Sequence, residues 1–170
     1  MQEYNWASFK KRVNIKAGIA EVYAMWAKPS GLEKWFLRLA EFKRPDGKTV
    51  NTDDSIKSGD TYRWLWFGWP DSMEEKGDLL EANGTDLIKF TFGNREVENM
   101  TCTVKIYTEQ GETICELTQE NIPVDEKGKC NYHLGCMNGW TFFMANLKSI
   151  LENGYDLRNR NEELKHVITA

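Results

Sequence analysis

Cys130, His133 and Cys136 stand three residues apart in CNYHLGC and carry the side-chain types that zinc prefers. A structural zinc site needs four such groups, and the remaining candidates, Cys102, Cys115 and His166, are remote in sequence. The expectation is therefore a chain without a metal or other cofactor. The same residues could supply a thiol nucleophile and an imidazole base, but adjacency in sequence is not a dyad and no local signature accompanies them. Asp71, Glu74, Glu75, Asp125 and Glu126 fall in turns and at strand starts, where they serve solubility rather than acid–base chemistry. There is no phosphate loop, dinucleotide fingerprint or nucleophile elbow. No catalytic residue is assigned.

A different chemistry is offered by the aromatic residues. The chain has seven tryptophans, and in TYRWLWFGW the residues Tyr62, Trp64 and Trp66 alternate with Arg63, Leu65 and Phe67. Both faces of such a strand are apolar except at Arg63. Together with Phe90, Phe92, Trp140 and Met144, Trp64 and Trp66 could line an apolar ligand pocket. Tyr62, Arg63 and Gln119 would be its polar groups, with Arg63 as a carboxylate anchor. The alternative is that these rings fill a solid core.

The elements that must position these residues follow from periodicity. Between His133 and Gly154, Cys136, Met137, Trp140, Phe143, Met144, Leu147, Ile150 and Leu151 fall on one helical arc. A left-handed cap is expected at Gly154. Upstream, Phe9 to Ile15 alternates as a first strand. Ile19, Val22, Tyr23 and Trp26 have helical spacing, and Pro29 ends that helix. A second short helix is expected with Ser30 as its cap and Glu33 three residues on. Further strands are predicted at Ala40 to Lys43, Thr61 onward, Glu74 to Glu81, Leu87 to Phe92, Met100 to Thr108 and Thr113 to Gln119, divided by turn-formers such as ANGTD and GNRE. In the tail, Leu157, Leu164, Val167 and Ile168 are apolar enough to dock, and Asn159 with Glu162 could cap a final helix. The fold class is α+β, with a curved antiparallel sheet of about seven strands around the long C-terminal helix.

With 170 residues the chain suits one domain, a core over about 8–154 with the tail 155–170 on it. A net charge of −4 without a basic stripe argues against nucleic acid as a partner. Neither a signal peptide nor a run able to enter a membrane is seen, so a cytoplasmic location is expected. The four cysteines are expected to be reduced.

PSGLEKWF, GDTYRW, DLIKFTF, CELTQENIP and GWTFFMANLKSILENG, in that order, carry a resemblance. The chain resembles the START-like superfamily (SRPBCC, helix-grip, Bet v 1-like) over about residues 8–154. Within it, the chain is similar to the branch of the C-terminal domain of the activator of heat-shock protein 90 ATPase. The resemblance implies a helix-grip fold with a hydrophobic cavity between sheet and long helix, and no shared catalytic set. Superfamily relatives bind lipids, sterols or polyketides, or act as cyclases. The first expectation for this chain is binding of a small hydrophobic molecule. A chaperone-associated interaction module, with Phe142 as its surface hint, is the alternative, and a cyclase-like or hydrolytic enzyme is the third. The separate N-terminal domain of full-length chaperone activators is not in this sequence, so direct activation is not expected.

Overall fold

The computed structural model describes residues 4–93, 97–161, 163, 164 and 167. Strand β1 (Phe9–Ile15) leads into two short helices, α1 (Ile19–Ala27) and α2 (Pro29–Trp35). Strands β2 (Leu39–Lys43), β3 (Thr61–Leu65), β4 (Glu75–Ala82), β5 (Leu87–Thr91), β6 (Thr101–Glu109) and β7 (Glu112–Glu120) follow. A π-helical segment, Gly128–Gly135, then runs into the long helix α3 (Cys136–Asn153). The sheet has seven antiparallel strands in the order β1-β7-β6-β5-β4-β3-β2. Its curvature is helped by a register irregularity between Leu79 and Glu81, since a bulge bends the strand that carries it.

One hydrophobic core joins the inner face of the sheet to α1, α2 and α3. Alternation decides what each strand contributes: Tyr62 and Trp64 are buried inward while Arg63 between them is not. On α3, Trp140, Phe143, Met144 and Leu147 are the buried apolar residues. Leu147 is fully buried. Gly154 closes the helix in the left-handed region at φ 70°, its N–H donating to Ile150 O.

The helix boundaries differ from the sequence reading in one cap. Lys28 is the N-cap of α2 and Pro29 its first residue, where a missing N–H loses nothing. Ser30 lies one residue inside, and its hydroxyl donates to Asp53 instead. Gly31 is needed because a Cβ there would lie 2.4 Å from Ala24 O of α1.

Polar residues also organise the core. Asn146, fully buried on α3, donates to Trp35 O at 2.7 Å and accepts from Leu157 N–H at 2.7 Å. Arg158 donates to Leu37 O, Glu33 O and Lys34 O and pairs with Asp156. Thus Arg158 and Asp156 tie the chain after α3 to the end of α2. Leu157, Leu164 and Val167 are exposed, whereas Glu162, Ile168 and the GNRE turn beyond Gly93 lie outside the described residues. All four cysteines are free thiols. No helix among the described residues is long and apolar enough to cross a membrane.

Candidate functional site

Beneath the site lies a layer of stacked rings. Tyr62 and Trp64 on β3 stack with centroids 4.0 Å apart, and Trp64 meets Phe90 of β5 edge-on at 5.3 Å. Gly77 of β4 makes room for this, because a Cβ there would come within 2.5 Å of the Tyr62 hydroxyl. That hydroxyl donates to Thr91 O at 2.6 Å and lies 3.5 Å from Glu75 Oε1. Burial, with the Glu75 charge close by, raises the Tyr62 phenol well above its ordinary range. Gln119, at the end of β7 and fully buried, accepts from Trp140 Nε1 at 3.0 Å and fixes the indole plane.

Above that layer, Phe36, Trp66, Trp69, Phe92, Cys136, Gly139, Trp140 and Phe143 surround a pocket of about 180 Å³. Phe36, at the end of α2, is its hub, 5.0 Å from the Trp140 ring and 4.7 Å from Phe143. Trp66 and Trp69 come from the segment after β3, and Phe92 from the residue after β5. Gly139 faces the pocket from within the helix, and a Cβ there would meet no atom within 4 Å. No lining side chain is charged. Burial pushes the Cys136 thiol up to about 11, so it stays protonated at neutral pH and is a poor nucleophile.

The nine residues expected at the site divide into four groups. Trp66, Phe92 and Trp140 line the pocket. Tyr62, Trp64, Phe90 and Gln119 support it from below. Arg63 belongs to the other face of the sheet, where it pairs with Glu41 at 2.9 Å and Glu74 at 2.6 Å. Met144 lines a separate cleft between β1 and α3. Phe36, Trp69, Gly139, Cys136 and Phe143 were missed, although Phe143 shares the apolar arc of Trp140 and Phe36 closes the PSGLEKWF stretch.

His133 is fully buried and both ring nitrogens are occupied, Nε2 by the Tyr4 hydroxyl at 2.8 Å and Nδ1 by Trp6 O at 2.9 Å. It pins the N-terminal segment to the π-helical segment, while Cys130 is exposed. Among the described residues, no group of three or more His, Cys, Asp or Glu side chains could hold a metal ion.

A family comparison covers most of the chain. Residues 16–152 match the model for the family described as activator of Hsp90 ATPase homolog 1-like protein. The chain belongs to that family. No curated protein matches it by sequence. In structure, this family member is similar to SSP2350 from Staphylococcus saprophyticus, with a TM-score of 0.66, 15% identity, and 89% of this chain and 96% of that one covered. It is also similar to the Aha1 dimer from Colwellia psychrerythraea, at a TM-score of 0.64 and 17% identity, with coverages of 86% and 97%. DynU16, from the dynemicin biosynthetic locus, aligns at a TM-score of 0.65 and 16% identity, over 91% of this chain and 50% of that one. At these identities the likeness is one of fold.

Proposed function

We propose that the protein binds a small, neutral, largely planar apolar molecule in the pocket between Phe36, Trp66, Phe92 and Trp140. The observation that carries this reading is an aromatic pocket with no charged lining residue and a helical glycine opening on it. Aromatic walls favour flat ligands through stacked and edge-on contacts. The volume of about 180 Å³ is below the roughly 300–1,000 Å³ usual for drug-sized ligands, so the occupant is one or two rings in size. Trp69, 49% exposed, stands at the rim as part of the wall.

Native mass spectrometry of freshly purified protein tests for a retained ligand. Titration with the neutral two-ring probe 1-naphthylamine tests the pocket itself, and saturable binding with altered tryptophan emission is expected. No retained mass together with non-saturable probe uptake overturns the proposal.

A second reading, the interaction module, is favoured by one observation. Trp69 and Met73, in the connection between β3 and β4, are about half exposed, at 49% and 54%, and could meet a protein partner such as a chaperone. Phe142 is only partly exposed and packs on the core. Sedimentation of the protein mixed with purified Hsp90, compared with a Met73→Ser variant that leaves the pocket lining intact, distinguishes partner binding through this rim from ligand binding.

A further inference from the structure

We infer that the cleft between β1 and α3 is a second binding site, for a small organic acid with one carboxylate and an apolar body. This inference does not rest on the aromatic pocket. The cleft measures about 420 Å³, within the range of small-molecule sites of roughly 300–1,000 Å³. It is bordered by Lys11 and Val13 of β1 and by Thr141, Met144, Ala145 and Lys148 of α3.

β1 is an edge strand, paired only with β7. Asn14 O accepts from Lys148 Nζ at 2.6 Å, and Lys16 N–H donates to Glu152 Oε1 at 2.8 Å. Backbone groups of alternate residues in a strand point the same way. The N–H and C=O of Arg12 therefore point into the cleft too. At the far end of this edge the chain supplies its own carboxylate: Glu152 Oε1 takes both the Lys16 N–H and the Lys148 ammonium, each at 2.8 Å. Four residues earlier on the same edge lies the Arg12 N–H, and Lys11, its neighbour in sequence, borders the same cleft. Lys11 is inward on β1, like Phe9 and Val13, and half-buried. Among the described residues it has no hydrogen-bond or ion-pair partner.

The charges select a single negative group. Lys148 is offset by Glu152, and the Arg12 side chain lies on the outer face, paired with Glu109 and Glu116. Of the cations bordering the cleft, Lys11 is left without a counter-ion among the described residues. Thr141 and Ser149 already donate to Met137 O and Tyr155 O, so their hydroxyls can only accept from a ligand. Val13, Met144 and Ala145 provide the apolar contact for its body.

The test compares 5-phenylvalerate with its neutral amide on the intact protein by amide NMR. The acid is expected to shift the Arg12 amide and those of Thr141 to Ser149. It should bind at least about tenfold more tightly than the amide, the usual scale for a charge-assisted pair. Lys11→Met should abolish that preference and Lys11→Arg should retain it, while Ala145→Phe should block both ligands by filling the cleft. The inference is overturned by equal binding of acid and amide, by a preference that survives Lys11→Met, by shifts centred on Gly139 and Phe92, or by no saturable shift at millimolar acid. Folded amide spectra of Lys11→Met and Ala145→Phe guard against mistaking unfolding for loss of binding.

Discussion

Gly139 offers a direct measure of whether the aromatic pocket is real space. It sits inside continuous helical structure that runs from Gly128 to Asn153. A glycine in a helix interior is less favourable than alanine by about 0.8–1.0 kcal/mol. Because a Cβ there meets nothing within 4 Å, Gly139→Ala should recover most of that amount. For a chain of this size the gain corresponds to a rise in Tm of roughly 2–4 °C, read by calorimetry or circular dichroism. Gly139→Leu asks more, since its side chain must enter the pocket of about 180 Å³. If the pocket is open, the buried leucine adds about 1.5–3 kcal/mol to the helix gain, Tm rises further, and binding of 1-naphthylamine disappears. If the rings instead close on one another, leucine overpacks them and costs about 1–3 kcal/mol. A lower Tm for Gly139→Leu with undiminished probe binding would refute the reasoning.

Three further outcomes are expected. Leu147→Ala, at a fully buried position of α3, should cost about 2–5 kcal/mol in urea unfolding; a loss below about 0.5 kcal/mol, the scale of surface sites, would contradict the packing. Asn146→Ala leaves Trp35 O and Leu157 N–H without their partners, and at about 1–3 kcal/mol for each group left unsatisfied it should destabilise by roughly 2–6 kcal/mol, toward the lower end because Leu157 is exposed. For Asp156, burial pushes the carboxyl up, but the hydrogen bonds and charges of Arg158 and Arg160 outweigh this and hold it well below the usual range. Its contribution is therefore complete above the unfolded value of about 3.9 and lost as pH falls through the lowered folded value. The stability gap between the wild type and Asp156→Asn should stay constant from neutral pH to about pH 5 and narrow below about pH 4; a gap that widens in acid would show the shift to be reversed.

Short-range periodicity made the fold legible, and it located part of the site. The arc through Trp140 and Leu147 and the alternation of Met100 to Thr108 specify a buried helix face and a half-buried strand without tertiary information. Trp66, Phe92 and Trp140 were accessible on the same grounds. Alternation already opposes Arg63 to Tyr62 and Trp64, so an inward arginine anchor conflicted with inward tyrosine and tryptophan on one strand. Met144 is one turn from Trp140, but α3 serves two clefts, and helical spacing alone cannot say which of them a residue borders. Trp69 and Gly139 gain their places from the path of a connecting segment and from space left by other chains of atoms. Neither leaves a periodic trace. Ser30 carried a capping signature, and Pro29 overrode it by occupying the first helical position.

The strand order has a kinetic consequence. From β2 to β7 every strand pairs with its neighbour in sequence, so each pairing closes through a local connection. β1 is the exception: its Asn14 meets Glu112 across 98 residues. By the logarithmic growth of closure entropy, that junction lies about 3 kcal/mol above a four-residue hairpin. The meander from β2 to β7 is therefore expected to assemble first, with β1 joining after the transition state. Truncating Val13 should leave the folding rate nearly unchanged and accelerate unfolding, whereas truncating Val104 in the middle of β6 should slow folding. The last segment to pair on the way in is the first to release on the way out, so the contacts of the N-terminal strand are the ones whose strength is expected to lengthen or shorten the lifetime of the native state.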